Sequence, residues 1–483
     1  MPLVVYNTQS RRKEEFIPLE PGVVRVYVCG VTVYDDPHIG HARCYVAFDA
    51  MVRHFLAKGW RVNYVRNFTD IDDKIIRRAA ESGLGWRELA DKYIESFRQD
   101  MAALDVLPPS HEPRATEHIA EMIATIQTLM AKGHAYQIEG GDVLFAVESF
   151  DGYGKLSRRN LEDMQAGARV EVDPRKKNPM DFVLWKASKP GEPSWDSPLG
   201  PGRPGWHIEC TAMSGKYLGQ TFDIHGGGED LVFPHHENEI AQGEACTGHP
   251  LAHYWLHNGF VRVNHEKMSK SLGNFFTIKD ILKITRPEAL RLFLLSKHYR
   301  SPLDFSDAAI KEAGAGLERL YTALQAAQER AAAGPLDAAG QALAAEIQAL
   351  ADEFEAGMDD DFNTARAIGA LFGLARLGNK LAAEPDGPAK GPLLELCARR
   401  LRELGGRLGL LRIDPAEFFR GAAGQTATQG GVGAADIEAL IAQRNQARKD
   451  KNFAEADRIR DQLKAMGVTL QDSPQGTTWR MEG

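Results

Sequence analysis

The feature that most restricts this chain is a strand–helix–strand pattern near its start. Val23-Val24-Arg25-Val26-Tyr27-Val28 is a β-branched run that ends at Cys29-Gly30. The spacing then predicts a helix from about Gly40 to Lys58, with Val46, Met51, Val52, Phe55 and Leu56 at helical intervals. Gly59 suits its C-terminal cap, and Arg61 to Phe68 reads as a second strand. Strand, crossover helix and strand in this order form a parallel βαβ unit. Ligands of such sheets lie beyond the carboxyl ends of the strands, where a break in strand order opens a crevice. Cys29 and the residues after it are expected there.

The remaining chain changes texture several times. Arg114 to Lys132 reads as an amphipathic helix, with Ile119, Met122, Ile123, Ile126 and Met130 on one face and Gly133 as its stop. From about His134 to Gly205, short strands and many Pro and Gly suggest an insertion. Strand and helix signals return from Trp206 to about Ser296, and beyond Asp307 the chain is Ala-rich and helical to about Leu411. Gly421 to Ala435 holds five glycines and no charge, which predicts a flexible linker. The tail from Asp436 reads as two helices and then two short strands, around Val468-Thr469-Leu470 and Thr477-Thr478-Trp479.

Composition removes several classes. At 483 residues the chain has room for roughly three domains of about 150 residues each. Its 43% hydrophobic and 26% charged content excludes wholesale disorder, collagen and disulfide scaffolds. No run reaches the ~18 apolar residues a bilayer span needs, and Met1 to Tyr6 lacks the features of a signal peptide. Five scattered cysteines suggest reduced thiols or metal ligands, so the expected compartment is the cytoplasm. A net charge of −8 argues against indiscriminate coating of nucleic acid but leaves room for a local basic face.

Two short motifs suit phosphate chemistry. His38-Ile39-Gly40-His41 follows a strand and opens a helix, where unpaired N–H groups and the partial positive end favour an anion. Gly40 allows close approach of a nucleotide, and the imidazoles of His38 and His41 can donate to phosphoryl oxygens. Alone, such a tetrapeptide also reads as polar surface. Lys267-Met268-Ser269-Lys270-Ser271 lies in a loop, and Lys267 and Lys270 can stabilise departing pyrophosphate, although a solvated lysine turn has the same letters. The pair of motifs carries the signal.

A third cluster suits a metal. Pro234 fits the first position of a helix, so His235 and Glu239, at i and i+4, face one way and can both ligate zinc. Cys29 and Cys210 are candidate partners, although a buried Cys at a strand end is also an ordinary small apolar filler. Spacing leaves His236 and Glu237 open as ligands. Other patterns are set aside. Gly200 to Gly205 fits Gly-x-Gly-x-x-Gly but reads as a turn-rich loop with no preceding strand, and His225-Gly226-Gly227-Gly228 has no Gly-x-Ser-x-Gly partner. No Walker A sequence occurs, and Cys44, Cys246 and Cys397 are read as packing residues.

The two phosphate motifs resemble the signatures of class I aminoacyl-tRNA synthetases. Val28 to Asp35, Asn67 to Lys74, Trp206-His207-Ile208-Glu209-Cys210 and His225 to Glu239 are similar, in order and register, to the cysteinyl-tRNA synthetase family over essentially the whole chain. One departure is Arg77, where that pattern leads one to expect Lys. The resemblance implies a zinc ion, one per chain, held by Cys29, Cys210, His235 and Glu239 and still open to a fifth ligand. It places Thr69 and Trp206 beside a cysteine substrate, whereas a core aromatic is the competing reading of Trp206. By charge, Asp230 suits the substrate ammonium. Zinc suits the task, because sterics cannot reject the smaller serine, and hydrophobic discrimination on this scale is worth only about 1–3 kcal/mol. A thiol surrenders its proton to zinc far more readily than a hydroxyl and is the softer ligand.

The expected fold is therefore α/β: a Rossmann-like parallel-sheet catalytic domain over 1–306 with a connective insertion over about 134–205. A tRNA-contacting helical bundle over 307–420, the linker over 421–435 and a small mixed anticodon-binding domain over 436–483 follow. Asp359 to Thr364 resemble the family's bundle, and Asn452 to Asp461 with Gly476 to Trp479 its C-terminal domain. Arg399, Arg400, Arg402, Arg407 and Arg412 read either as an RNA-facing stripe or as a solvated helix face. Trp479 reads either as a base-stacking platform or as core. With eight Lys/Arg against eight Asp/Glu, charge alone does not mark the tail as RNA-binding. The expected partners are ATP with Mg2+, L-cysteine and a cysteine-accepting tRNA, with no membrane and a monomeric chain. Two alternatives are a cysteine–amino-sugar ligase of mycothiol synthesis and a non-catalytic zinc-stabilised RNA-binding module. The first needs no anticodon domain, and the second needs no phosphate motifs.

Overall fold

The computed structural model describes residues 2–159, 173–263, 266–267, 275–426, 434–473 and 476–481. By its contacts the chain forms two units. The first comprises Met1–Leu317, Ala349–Leu371 and Arg407–Leu410, and the second Glu318–Gln348, Phe372–Gly406 and Leu411–Gly483.

The first unit begins with a hairpin of β1 (Val4–Asn7) and β2 (Arg12–Glu15). The expected βαβ unit follows as β3 (Val23–Thr32), α1 (Ile39–Ala57) and β4 (Arg61–Thr69). Gly59, at φ +80°, ends the helix by donating to the Leu56 carbonyl, a conformation that side chains with a Cβ rarely adopt. Helices α2 (Asp73–Ser82), α3 (Trp86–Ala103) and α4 (Ile119–Ala131) come next. Residues 115–117, inside the helix expected from Arg114, form a separate 3₁₀ turn. Strands β5 (Ala135–Gln137), β6 (Val143–Phe145), β7 (Phe182–Ala187) and β8 (Gly202–Pro204) build an antiparallel sheet inside the insertion. The stretch read as a turn-rich loop at Gly200 to Gly205 thus contains a strand. Its backbone pairs with Lys186 and Ala187, a long-range contact that local turn residues do not announce.

The chain then returns to the main sheet through α5 (Trp206–Leu218), β9 (Phe222–Gly228), α6 (Glu237–Thr247) and β10 (Ala252–Asn258). The sheet order is β10-β9-β3-β4, all parallel. Successive connections leave β3 in opposite directions, so the switch in strand order falls between β3 and β9. The register of β3 against β4 breaks between Val28 and Val31, which places Cys29 and Gly30 at an irregularity on that edge. Gly30 is required there, since a Cβ would lie 1.5 Å from the Asn67 carbonyl oxygen.

A smaller sheet, β11 (Val261–Val263), β12 (Glu266–Lys267) and β13 (Leu303–Phe305), follows. The acidic motif at 359–361 is bonded within this unit. Asp359 accepts from His54 (2.9 Å) and Lys58 (2.7 Å) at the end of α1, and Asp360 pairs with Lys13. Asp361 accepts from the Tyr6 backbone, the Tyr299 hydroxyl and Arg300.

In the second unit Tyr321 stacks on Phe418 with ring centroids 3.8 Å apart. The helix Pro415–Thr426 occupies the first six residues of the expected linker, and the next helix begins at Ala434. Ala is a strong helix former, so glycine content overstated the break; residues 427–433 lie outside the described residues. Helices Ala434–Lys449 and Phe453–Ala465 pack with the hairpin Val468–Ser473 and Gly476–Met481 around Ile437, Ile441, Ile459, Leu463 and Trp479. Trp479 is buried and donates its indole N–H to Glu438 (2.8 Å), so of its two readings the structure gives core. Among the arginines, Arg400 pairs with Glu403 and Gln348, and Arg402 donates to the carbonyls of Leu411 and Ile413. Arg407, in the first unit, pairs with Glu355. These three groups are engaged within the protein.

Candidate active site

The carboxyl edge of the main sheet gathers the metal-type donors. Cys29 ends the regular part of β3, Cys210 lies on α5, and Glu239 lies on α6 with His235 in the turn before it. Pro234, expected at the first helical position, lies instead inside that turn because Phe233 is still extended at φ −143°, and the α-helix itself begins at Glu237. The Cys29 sulfur is 3.7 Å from that of Cys210 and 3.4 Å from Glu239 Oε1, and His235 Nε2 is 3.1 Å from the same oxygen. All four side chains are buried.

Two sulfurs each about 2.3 Å from one tetrahedral zinc stand about 3.8 Å apart, and a sulfur and a carboxylate oxygen about 3.6 Å. The observed separations match that spacing. Burial pushes both thiols up, that of Cys29 further because of Cys210 and Glu239 beside it. Burial also works to raise Glu239, but His225 and His235 hold its carboxyl below the ordinary range. Two thiolates and a carboxylate buried together are costly unless a cation joins them. The donor set therefore fits zinc.

A layer of imidazoles surrounds these groups. His207 Nδ1 lies 2.8 Å from His235 Nδ1, which directs His235 Nε2 to the cluster. His225 Nε2 donates to Glu239 Oε2 (2.8 Å). His236 Nε2 is 3.3 Å from the Cys29 sulfur, and its Nδ1 is 2.8 Å from His257, which in turn meets the Thr8 hydroxyl. Cys29, His225, His236 and Glu239 form a second converging quartet that shares two members with the first. Glu237, left open by spacing, accepts three backbone N–H bonds from Gly154, Leu156 and Ser157 instead.

Trp206, the first residue of α5, stacks on His235 with centroids 4.2 Å apart and remains 38% exposed, which is not the environment of a core aromatic. Thr69, at the end of β4, is buried and donates its hydroxyl to Glu209 Oε2 (2.7 Å). The other Glu209 oxygen has no hydrogen-bond partner among the described residues. Asp230 is exposed on the turn after β9.

The first phosphate motif caps α1. His38 Nδ1 accepts from the Gly40 N–H (3.1 Å), and His41 Nδ1 accepts from the His38 N–H (3.2 Å). The rings stack 3.7 Å apart. Because both Nδ1 atoms accept, the proton of each neutral ring sits on Nε2, which makes it a donor. Burial and the neighbouring His38 hold His41 well below the usual imidazole range, so it is neutral at pH 7. The Lys267 backbone lies in β12, whereas its side chain and all of Lys270 fall outside the described residues. A cleft of about 620 Å³ beside Arg25, Arg61, Asn63 and His111 opens at the amino ends of β3 and β4, the opposite edge from these motifs.

His207, His225 and His257 have no role assignable from local sequence. The density of His around 225–236 was a usable signal for the second layer. His257 carried none, since it reaches the site only through the pairing of β10 with β9.

A family model described as the tRNA synthetase class I (C) catalytic domain matches residues 15–315. A DALR-domain model matches 353–412, and a cysteinyl-tRNA ligase anticodon-binding model matches 433–480. The Mycobacterium tuberculosis methionyl-tRNA synthetase solved with methionyl-adenylate has a TM-score of 0.62 at 17% identity, over 80% of this chain and 91% of that one, a likeness of fold. Sheet order and family model together define a class I aminoacyl-tRNA synthetase. "Cysteine--tRNA ligase" from Syntrophobacter fumaroxidans is 57% identical over 493 residues, and that from Geobacter sulfurreducens 56% over 484, each covering 100% of both chains. The chain belongs to the cysteine--tRNA ligase family. Among the described residues, no helix is long and apolar enough to cross a membrane.

Proposed function

We propose that the chain joins L-cysteine to its cognate tRNA through a cysteinyl-adenylate, and that Cys29, Cys210, His235 and Glu239 hold a zinc ion that selects the amino acid. The carrying observation is the buried donor quartet on the sheet edge that also presents His38 and His41. When bound, zinc supplies a soft Lewis acid that prefers a thiolate to a hydroxyl. The chain's own residues do the rest. The partly exposed Trp206 ring and Thr69 shape the amino-acid site, and Asp230 receives the substrate ammonium. As the cysteine carboxylate attacks the α-phosphate of ATP, His38 and His41 donate from Nε2 to phosphoryl oxygens, and Lys267 and Lys270 neutralise the leaving pyrophosphate. Magnesium accompanies the nucleotide. The 2′-hydroxyl of the terminal adenosine of the tRNA then takes the cysteinyl group. The second unit serves the tRNA, with residues 436–483 at the anticodon. A tail with its own packed core supports a tRNA acceptor over an amino sugar.

Cysteine-dependent ATP–pyrophosphate exchange tests this reading. Exchange is expected to disappear with a chelator and return with zinc, with one metal per chain by elemental analysis. Serine is expected to support exchange orders of magnitude more weakly. Charging of serine and cysteine alike would refute the assignment.

A further inference from the structure

Residues 275–279, which follow the second lysine motif, are bonded to the first phosphate motif. Thr277 forms an antiparallel bridge with His38. The Ile39 N–H donates to the Phe276 carbonyl (3.2 Å), and the Ile278 N–H to that of Pro37 (3.0 Å). Phe275 meets the His38 ring edge-on at 5.2 Å. These contacts hold the turn that orients both imidazoles.

One side chain fastens this brace from outside. Lys279 Nζ donates to Asp36 Oδ1 (2.9 Å) and to the Ser96 hydroxyl (2.6 Å), and Ser96 donates to the same Asp36 oxygen. Asp36 stands two residues before His38, and Ser96 is buried on α3. Lys279 therefore ties three separate stretches of chain together beside the nucleotide turn without belonging to it. A salt bridge at an exposed surface contributes little to stability. The geometry here is different, because a misplacement of about 1 Å at a reacting group can cost about 100-fold in rate.

We propose that Lys279, through Asp36 and Ser96, is a positioning residue for adenylate formation, holding residues 275–278 against His38 so that its Nε2–H meets the phosphoryl oxygen. The proposal rests on the reading of His38 as a phosphate donor. Lys279→Met is expected to lower the kcat of cysteine-dependent exchange about tenfold with KM for cysteine, zinc content and melting temperature unchanged, and Lys279→Arg to recover most of it. In a His38→Ala background, Lys279→Met is expected to cost less than about twofold, because the group it positions is already gone. Exchange by Lys279→Met within twofold of the parent, or a full tenfold loss added to that of His38→Ala, overturns the positioning role. Unchanged exchange in His38→Ala alone overturns the donor reading beneath it, so the two failures are separable.

Discussion

The cluster around Cys29 and the turn around His38 occupy the same edge of one sheet yet are built differently. At the first, every donor is buried and the spacings are preset by four elements, β3, α5, the turn before α6, and α6 itself. At the second, the imidazoles are organised by their own helix cap, and tertiary contacts from residues 275–279 complete the arrangement. Their buried carboxylates differ in the same sense. Glu239 is held ionised by two imidazoles, whereas Asp100, on α3 beneath the turn, is pushed up to about 6 by burial. On the proposed function, selection of the amino acid would rest on the buried core and handling of the nucleotide on local caps and a brace.

The contrast breaks first at the cluster. Cys210→Ser is expected to abolish stoichiometric zinc by elemental analysis and to lower cysteine-dependent exchange by at least about 10³-fold, beyond the about 10–100-fold that loss of an outer partner costs. Retained zinc and near-parental exchange would mean that the quartet with His225 and His236 is the one that binds. A smaller loss is expected at the turn. His38→Asn keeps a preferred N-cap side chain, so stability should fall by less than about 0.5 kcal/mol while exchange drops about 100-fold and zinc stays bound. A protein that melts early in proportion to its lost activity would show that His38 matters only as a cap.

Which parts could be read in the sequence follows from how far each interaction reaches. The βαβ unit was legible because Val23 to Val28 and the apolar face of α1 repeat at local periods, and Gly59 marks the stop. The partnership of His235 and Glu239 was legible as an i, i+4 pair. Cys29 and Cys210 could be named from sequence only as candidates, since strand and helix bring them together across the intervening chain, and resemblance was needed to fix them as ligands. The strand at Gly202–Pro204 was missed for the same reason. The helical start of the supposed linker is masked in the sequence because its glycines obscure the helix-forming alanines between them. Lys279 with Asp36 left no trace, for nothing local connects a lysine in the short helix Ile278–Leu282 with an aspartate far upstream.

Asp100 gives the smallest effect and sharpens the comparison most directly. Its side chain is 3% exposed, and Oδ2 has no hydrogen-bond partner among the described residues. Burial is the main cause of its raised pKa, with Asp36 adding to the rise and Lys279 opposing it. In the unfolded chain the same carboxyl titrates near about 3.9. Below about pH 3 it is neutral in both states and costs nothing. Above about pH 6 it is ionised in both, and only the folded state bears the desolvation, so this group's destabilisation grows as pH rises between those values. Asp100→Asn removes the charge and nearly keeps the shape. It is expected to raise the unfolding free energy by about 1–3 kcal/mol at pH 8 and to leave it unchanged at about pH 3, read by denaturant melts of parent and variant. An equal gain at both pH values would assign the benefit to packing instead, and the turn around His38 would then carry no uncompensated charge to set against Glu239.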